Sequence, residues 1–389
     1  MKRIYLDHAA TTPLALEVFE MMQPFLSSRL GNPSSIHAEG REARVAIDLA
    51  REQLASYAGC APAEVIFTSG GTEANNTAVF GAAGLQERAG HIVTSAIEHP
   101  CVLASCRALE EKGWRVTLVE PDTYGRITVE TVINAIIPKT VLISIMHANN
   151  EVGTINPIHE IAAAANERGI AFHTDAVQTF GKLEFNFENS GIAMMSVSGH
   201  KVYGPKGVGA LFVRSGKRIA PLLHGGKQER DRRAGTENVA AIAGFGQAVV
   251  IAMHRLEEEK QRLRHLADYF ASRLMAEFPE CVCNGHPEHR LHHIINASFP
   301  GWDSLSLVMR MDMEGVAISN GSACSSGSVE PSHVLRAMKL PSERASSAVR
   351  FSLGRTTTKE ELEATILALR RIVKRKASHR PPEKLSIFA

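Results

Sequence analysis

Cysteine is scarce in this 389-residue chain, and neither sign of charge is in surplus. Six cysteines over that length are too few for a disulfide scaffold, so a reducing, cytoplasmic compartment is expected. Lys and Arg total 43 against 41 Asp and Glu, and a net charge of +2 gives no global pull toward nucleic acid or an anionic membrane. Neither is expected as a direct partner. No apolar run approaches the roughly 18 residues of a membrane span. The apolar stretch after Lys2 and Arg3 stops at Asp7, which is too short for a signal-peptide core. Internal repeats and low-complexity segments are also missing. Cys281-Val282-Cys283 has neither redox nor zinc-knuckle spacing and reads as buried strand, while Cys106 shares a helical core face with Val102 and Leu109.

What the chain does have is the composition of a globular protein, with 44% hydrophobic and 22% charged residues. Its length exceeds one comfortable core, so two domains are expected. From about residue 60 to 215, short apolar runs alternate with amphipathic stretches. Strands are read at 65–68, 92–94, 116–119, 141–146, 170–173 and 207–213. Helices are read from Thr72 and over 100–112, 129–137 and 157–168. This is the rhythm of an α/β fold with a large, mainly parallel sheet and helices on both faces. A helical stretch over 236–278 leads to a smaller α+β part, with strands at 294–299 and 349–353 and a last helix from near Thr358. The expected division is a large domain over 15–255, and a small one from 1–14 and 256–389 that carries a loop at about 319–331. The tail around His379-Arg380-Pro381-Pro382 reads as frayed.

Ligands of such sheets sit beyond the carboxyl ends of the strands, and several reactive side chains fall there. Ser198-Gly199-His200-Lys201, followed by Gly204-Pro205-Lys206-Gly207, puts a lysine among small residues. Alone it reads as a solvated turn lysine. Thr174-Asp175-Ala176-Val177-Gln178 ends another strand with a carboxylate. A lysine for a Schiff base and an acid for a pyridinium nitrogen are the two demands of pyridoxal 5'-phosphate (PLP). Ser69-Gly70-Gly71-Thr72 makes a small-residue turn into a helix, which suits a phosphate.

His99, in Glu98-His99-Pro100, is either a polar helix-entry residue or an imidazole lying over a cofactor ring. Asn150 again follows a strand. Arg350, inside an apolar strand, needs a partner, either a substrate carboxylate or a structural carboxylate. Cys324, in Ser322-Ala323-Cys324-Ser325-Ser326, sits among small polar residues and reads as a free nucleophilic thiol. The other five cysteines read as parts of strands, helices or structured turns.

Together these motifs resemble cysteine desulfurases of the NifS/IscS type, in the class V aminotransferase group of fold-type-I PLP enzymes. Tyr5-Leu6-Asp7-His8-Ala9-Ala10-Thr11-Thr12, Gly31-Asn32-Pro33-Ser34-Ser35, Arg233-Ala234-Gly235-Thr236-Glu237-Asn238 and Gly321-Ser322-Ala323-Cys324 with Glu330-Pro331-Ser332-His333-Val334 carry the likeness. The resemblance implies a homodimer acting on L-cysteine. Lys201 would hold PLP covalently, Asp175 would pair with the ring nitrogen, His99 would stack on the ring and Gln178 would bond its hydroxyl. Gly71, Thr72, Ser198, His200 and a partner-derived Thr236 would hold the phosphate. Asn150 and Arg350 would take the substrate carboxylate, and Cys324 would accept the sulfur as a persulfide.

The long small-residue loop resembles the branch that hands sulfur to an acceptor protein, for iron–sulfur assembly or tRNA thiolation. No intrinsic metal is implied, although Cys324 is a candidate transient iron–sulfur ligand shared with a scaffold. Another class V enzyme or a selenocysteine lyase is the rival, with a non-enzymatic scaffold behind it. The basic run Arg370, Arg371, Lys374, Arg375 and Lys376 reads as a solvated helix face or a docking surface.

Overall fold

The computed structural model describes residues 3–320 and 331–377; of 374–377 only the helical backbone is described. Cys324, most of the 319–331 loop, the Lys374–Lys376 side chains and the His379–Pro382 tail lie outside the described residues.

Among the described residues, twelve strands run in chain order: β1 (Ile4–Tyr5), β2 (Val65–Thr68), β3 (His91–Ser95), β4 (Arg115–Val119), β5 (Thr140–Ser144), β6 (Ala171–Asp175), β7 (Met194–Ser198), β8 (Gly209–Val213), β9 (Val282–Asn284), β10 (Ile294–Ser298), β11 (Val316–Ala317) and β12 (Ala348–Ser352). Seven form the main sheet in the order β2-β8-β7-β6-β5-β3-β4. The four pairings from β7 to β4 are parallel, and β8 is antiparallel to both β2 and β7. Strands β2, β3, β7 and β8 are buried along their whole length, as expected for a sheet covered by helices on both faces. After β4 the chain returns past β3 to place β5, so the strand order reverses between β3 and β5. A reversal of this kind opens a crevice at the carboxyl ends.

A second core surrounds the antiparallel sheet β9-β10-β12 and includes Phe270, Phe299, Phe351, Leu362 and Leu369. The N-terminal segment joins it. Leu6 is buried in that core, β1 pairs with β11, and Asp7 bridges to Ser352. Cys281, buried, lies just before β9, and Cys283, partly buried, lies within it; both are free thiols.

One helix, Val239–Glu277, enters both cores. Its Ala241, Ile242, Phe245, Ala248 and Val249 pack in the first, and Ala267, Phe270 and Leu274 pack in the second. Among the described residues it alone is long and apolar enough to cross a membrane by length and composition, which corrects the reading of the apolar runs. Gly244, Gly246 and Gln247 interrupt the run and hide it. Most of that apolar stretch is buried, as in a core helix. The helix at Val129–Asn134 is shorter than its pattern suggests because Pro138 disfavours the helical region at Ile137 and has no N–H for the Asn134 carbonyl. On the last helix, Lys359–Ala377, Arg370 pairs with Glu277 (2.9 Å) and Arg371 with Glu314 (2.6 Å), both at the surface.

Candidate active site

The ends of β3, β5, β6 and β7 open into one cavity of about 700 Å³. Lys201 sits in the single 3-10 turn that follows β7, and its Nζ donates to the carbonyls of Ala9 and Ala10 (2.7 Å to Ala10). The N-terminal segment thereby forms part of the wall. Asp175 ends β6, buried. Its Oδ2 accepts from Asn75 Nδ2 (2.6 Å) and its Oδ1 from the Val177 backbone N–H (2.9 Å). A carboxylate accepts about four hydrogen bonds, so a further donor can still be bound.

His99 caps the helix Pro100–Glu110. Its Nδ1 accepts from Cys101 N–H at 3.3 Å, and Pro100 supplies the first helical residue. That bond leaves the ring proton on Nε2. Burial is the largest influence and lowers the imidazole pKa; Asp175 works against it, while Lys201 and His333 reinforce it. His200 accepts from or donates to Thr11 Oγ1 at 3.2 Å, and burial followed by the charge of Lys201 pushes it down to about 4. Both imidazoles are therefore neutral at pH 7.

Gly71 and Thr72 open the helix Gly71–Ala83 at the cavity wall, and its first N–H groups have no intrahelical partner. A Cβ on Gly71 would lie 2.8 Å from Val177 Cγ2, so glycine is what lets helix and β6 turn approach. Ser198 lines the same cavity. Gln178 Nε2 donates to Ala9 O (2.9 Å), and its buried Oε1 has no partner among the described residues. Arg350 is 1% exposed, donates to Asp7 Oδ1 and to Asn150 O (2.8 Å each), and lines the cavity.

Of the residues singled out from sequence, ten line this cavity: Gly71, Thr72, His99, Asn150, Asp175, Gln178, Ser198, His200, Lys201 and Arg350. Thr236 does not; it is exposed, in a segment tied to its own chain by the Arg233–Glu73 ion pair at 2.8 Å. Sequence reasoning missed Asn75, Cys101, Glu151 and His333. Asn75 stands four and three residues beyond Gly71 and Thr72, a helical spacing that puts it on their face. Cys101, read as an ordinary helix residue, lies 3.0 Å from His99 Nδ1 and 3.3 Å from Asn75 Nδ2. Glu151 is buried, accepts from Ser332 Oγ, and has its pKa raised by that burial. Nothing in the sequence marks it beyond its place in Asn149-Asn150-Glu151.

A lysine, a carboxylate and an imidazole at three strand ends of a mainly parallel sheet define an α/β enzyme of the fold-type-I architecture. The chain belongs to the class V aminotransferase family, whose model matches residues 4–365. Its relatives include "Cysteine desulfurase IscS" of Dictyoglomus turgidum, 49% identical over 96% of each chain, and "Putative cysteine desulfurase IscS 1" of Bacillus subtilis, 45% identical over 96% of this chain and 100% of that one. Among solved structures, a "NIFS-like protein" matches with a TM-score of 0.90 at 35% identity, covering 96% of this chain and 99% of that one. "SspA in complex with cysteine" matches with a TM-score of 0.81 at 40% identity, covering 90% and 98%.

Proposed function

We propose that this protein is a cysteine desulfurase that takes sulfur from L-cysteine, releases L-alanine and holds the sulfur as a persulfide on Cys324. The observation that carries the reading is the convergence of Lys201, Asp175 and His99 on one cavity with Arg350 in its wall. PLP fits the residues present. Asp175 has acceptor capacity for a protonated ring nitrogen, the orphaned Gln178 Oε1 can accept a ring hydroxyl, and the Gly71–Thr72 helix start offers unpaired N–H groups to a phosphate. When bound, PLP withdraws electrons from the substrate Cα and renders the Cβ–Sγ bond cleavable.

Lys201 holds the cofactor, and its amine, once released, takes the Cα proton. Asp175 keeps the ring nitrogen protonated. His99 offers Nε2–H to the substrate as a hydrogen-bond donor. Arg350 and Asn150 fix the substrate carboxylate. The Cys324 thiolate attacks Sγ; an S–S bond forms, Cβ–Sγ breaks, and its electron pair stays on carbon, which takes up a proton as alanine.

The reading includes a homodimer with Thr236 supplied across the interface. The strongly exposed apolar side chains Leu16, Leu26, Leu30, Ile36 and Val45, from 64% to 90% exposed, support a covered face. Residues 15–255 serve as the larger unit, with 1–14 and 256–389 as the smaller. The resemblance supports a cytoplasmic sulfur acceptor from iron–sulfur assembly or tRNA thiolation. Supplied with PLP, cysteine and a reductant, the protein should form alanine and sulfide one to one, and Lys201→Ala should form neither. Undiminished product from Lys201→Ala would overturn the reading.

A further inference from the structure

Beside the large cavity lies a chamber of about 30 Å³, and Lys201 is the residue common to both linings. His8, Lys182, Tyr203, Glu259 and His293 also line it. Both ring nitrogens of His8 and Nε2 of His293 are buried without a hydrogen-bond partner among the described residues, at 2% and 5% residue exposure. Gly354 backs onto His8 so closely that a Cβ would sit 2.2 Å from Cε1, which pins the ring. Lys182 Nζ donates to Gln178 O at 3.1 Å, although an ammonium carries three donors. Buried polar atoms are rarely left unpaired, and a chamber of about 30 Å³ exceeds the roughly 10–15 Å³ that one water needs. Water in the chamber would satisfy these orphaned atoms together.

We propose that the chamber holds water and that Lys182 exchanges a proton with the Lys201 amine through it, making Lys182 a positioning residue for the reaction. The inference rests on the reading of Lys201 as the base. One proton passes from the Lys201 ammonium to the water while the water gives one to the Lys182 amine. The reverse passage restores both, and no electron moves. Two ammonium groups on one chamber oppose each other, so the pair holds one proton more readily than two. Burial first, then the charge of Lys201, push the Lys182 amine down to about 7, with Glu259 pulling it upward.

The other groups around the chamber do not compete for the proton. Burial and Lys182 push His8 down to about 4, with the Tyr5 backbone pulling it upward and Arg262 adding to the fall, and burial holds His293 well below the usual imidazole range. Glu259 is taken by Arg355, whose guanidinium also lies 4.1 Å from the Tyr203 ring centroid on the outer wall. Among the described residues that line the chamber, Lys182 is the one placed to take and return a proton near neutral pH.

The test uses full-length, PLP-loaded protein and its Lys182→Met and Lys182→Arg variants. The visible absorbance of the cofactor is titrated, and the acid limb of kcat is located. Methionine removes a charge that opposes protonation at Lys201, so both readouts should move up by about one pH unit. Arginine makes that charge permanent, so both should move down, with KM for cysteine little changed in either variant. Titrations that stay at the wild-type position in both variants would overturn the exchange. Should a variant fail to fold, a crystal structure of the wild-type holoenzyme decides. Ordered water bonded to Lys182, His8 and His293 is expected, and a dry chamber overturns the proposal. If the titrations shift but the wild type makes no alanine from cysteine, the desulfurase reading fails while the chamber stands.

Discussion

Arg350 and Asp7, 343 residues apart in sequence, are joined at 2.8 Å. The guanidinium is almost wholly buried, so Asp7 is its counter-ion, and this bond adds to those of Leu6, His8 and Ala9 with Ser352 that fasten the N-terminal segment to β12. Asp7→Ala leaves that charge buried and alone, and should lower stability by about 3 kcal/mol, read from urea unfolding. Arg350→Ala should instead act on substrate. Losing a charge-assisted, two-pronged carboxylate contact predicts a fall in kcat/KM of about 100-fold, mostly through KM.

Asp175→Asn keeps the hydrogen bond from Asn75 but removes the charge that holds a ring nitrogen protonated. Turnover should fall by at least about 100-fold while PLP stays bound. Asn75→Ala should cause a smaller loss, because it frees the carboxylate to turn. Steady-state alanine production and cofactor absorbance, measured together, separate the two.

Thiol reactivity should single out Cys324. Burial pushes Cys60, Cys101, Cys106 and Cys281 up to about 12 and also raises Cys283, so none of them is ionised at pH 7. A thiol at its ordinary pKa is about 3% thiolate there. Limiting iodoacetamide followed by peptide mapping should therefore label Cys324 first. Cys324→Ala should still change its visible spectrum with cysteine but release no sulfide.

Stability should fall on both sides of neutrality. His8, His147, His173 and His200 have folded-state pKa values of about 4, 3, 3 and 4, below the ordinary 6.5, and burial is the main cause in each. Below about pH 6.5 the unfolded chain takes protons that the folded one refuses, so stability drops as pH falls. Glu98 is the reverse case. Burial raises it to about 8 against the bonds from Ser95 and Met146, so the folded state keeps a proton that the unfolded state loses above about 4.5. Its contribution shrinks as pH rises toward 8. Glu98→Gln should raise the urea midpoint at pH 8 more than at pH 5; an equal change at both would contradict this assignment.

The α/β rhythm was legible because β2, β3 and β5 are short, dense apolar runs ended by polar residues. Pairing direction was not, since nothing within Gly209–Val213 tells an antiparallel strand from a parallel one. The two-residue strands β1 and β11 are too short for any period. The helix Leu16–Ser27 buries only Val18 and exposes Leu16, Phe19 and Leu26, which blurs its amphipathic pattern. At the site, residues that directly follow strands stood out. Cys101 and Glu151 did not, because what distinguishes them is burial by segments remote in sequence. The chamber behind Lys201 was hidden for the same reason: His8, Lys182 and His293 meet only in three dimensions.

The Val239–Glu277 helix is a rod about 58 Å long, rooted at one end beneath the main sheet and at the other beneath β9-β10-β12. Near its middle, Arg262 grips the carbonyls of Gly354, Arg355 and Thr357, just past β12. The smaller sheet therefore rides on the far half of the rod as cargo on a boom. Arg350 also bonds Asn150 O on the main-sheet side, and Glu259 of the rod holds Arg355, so the carboxylate-gripping wall is moored at both ends rather than hung from the rod alone.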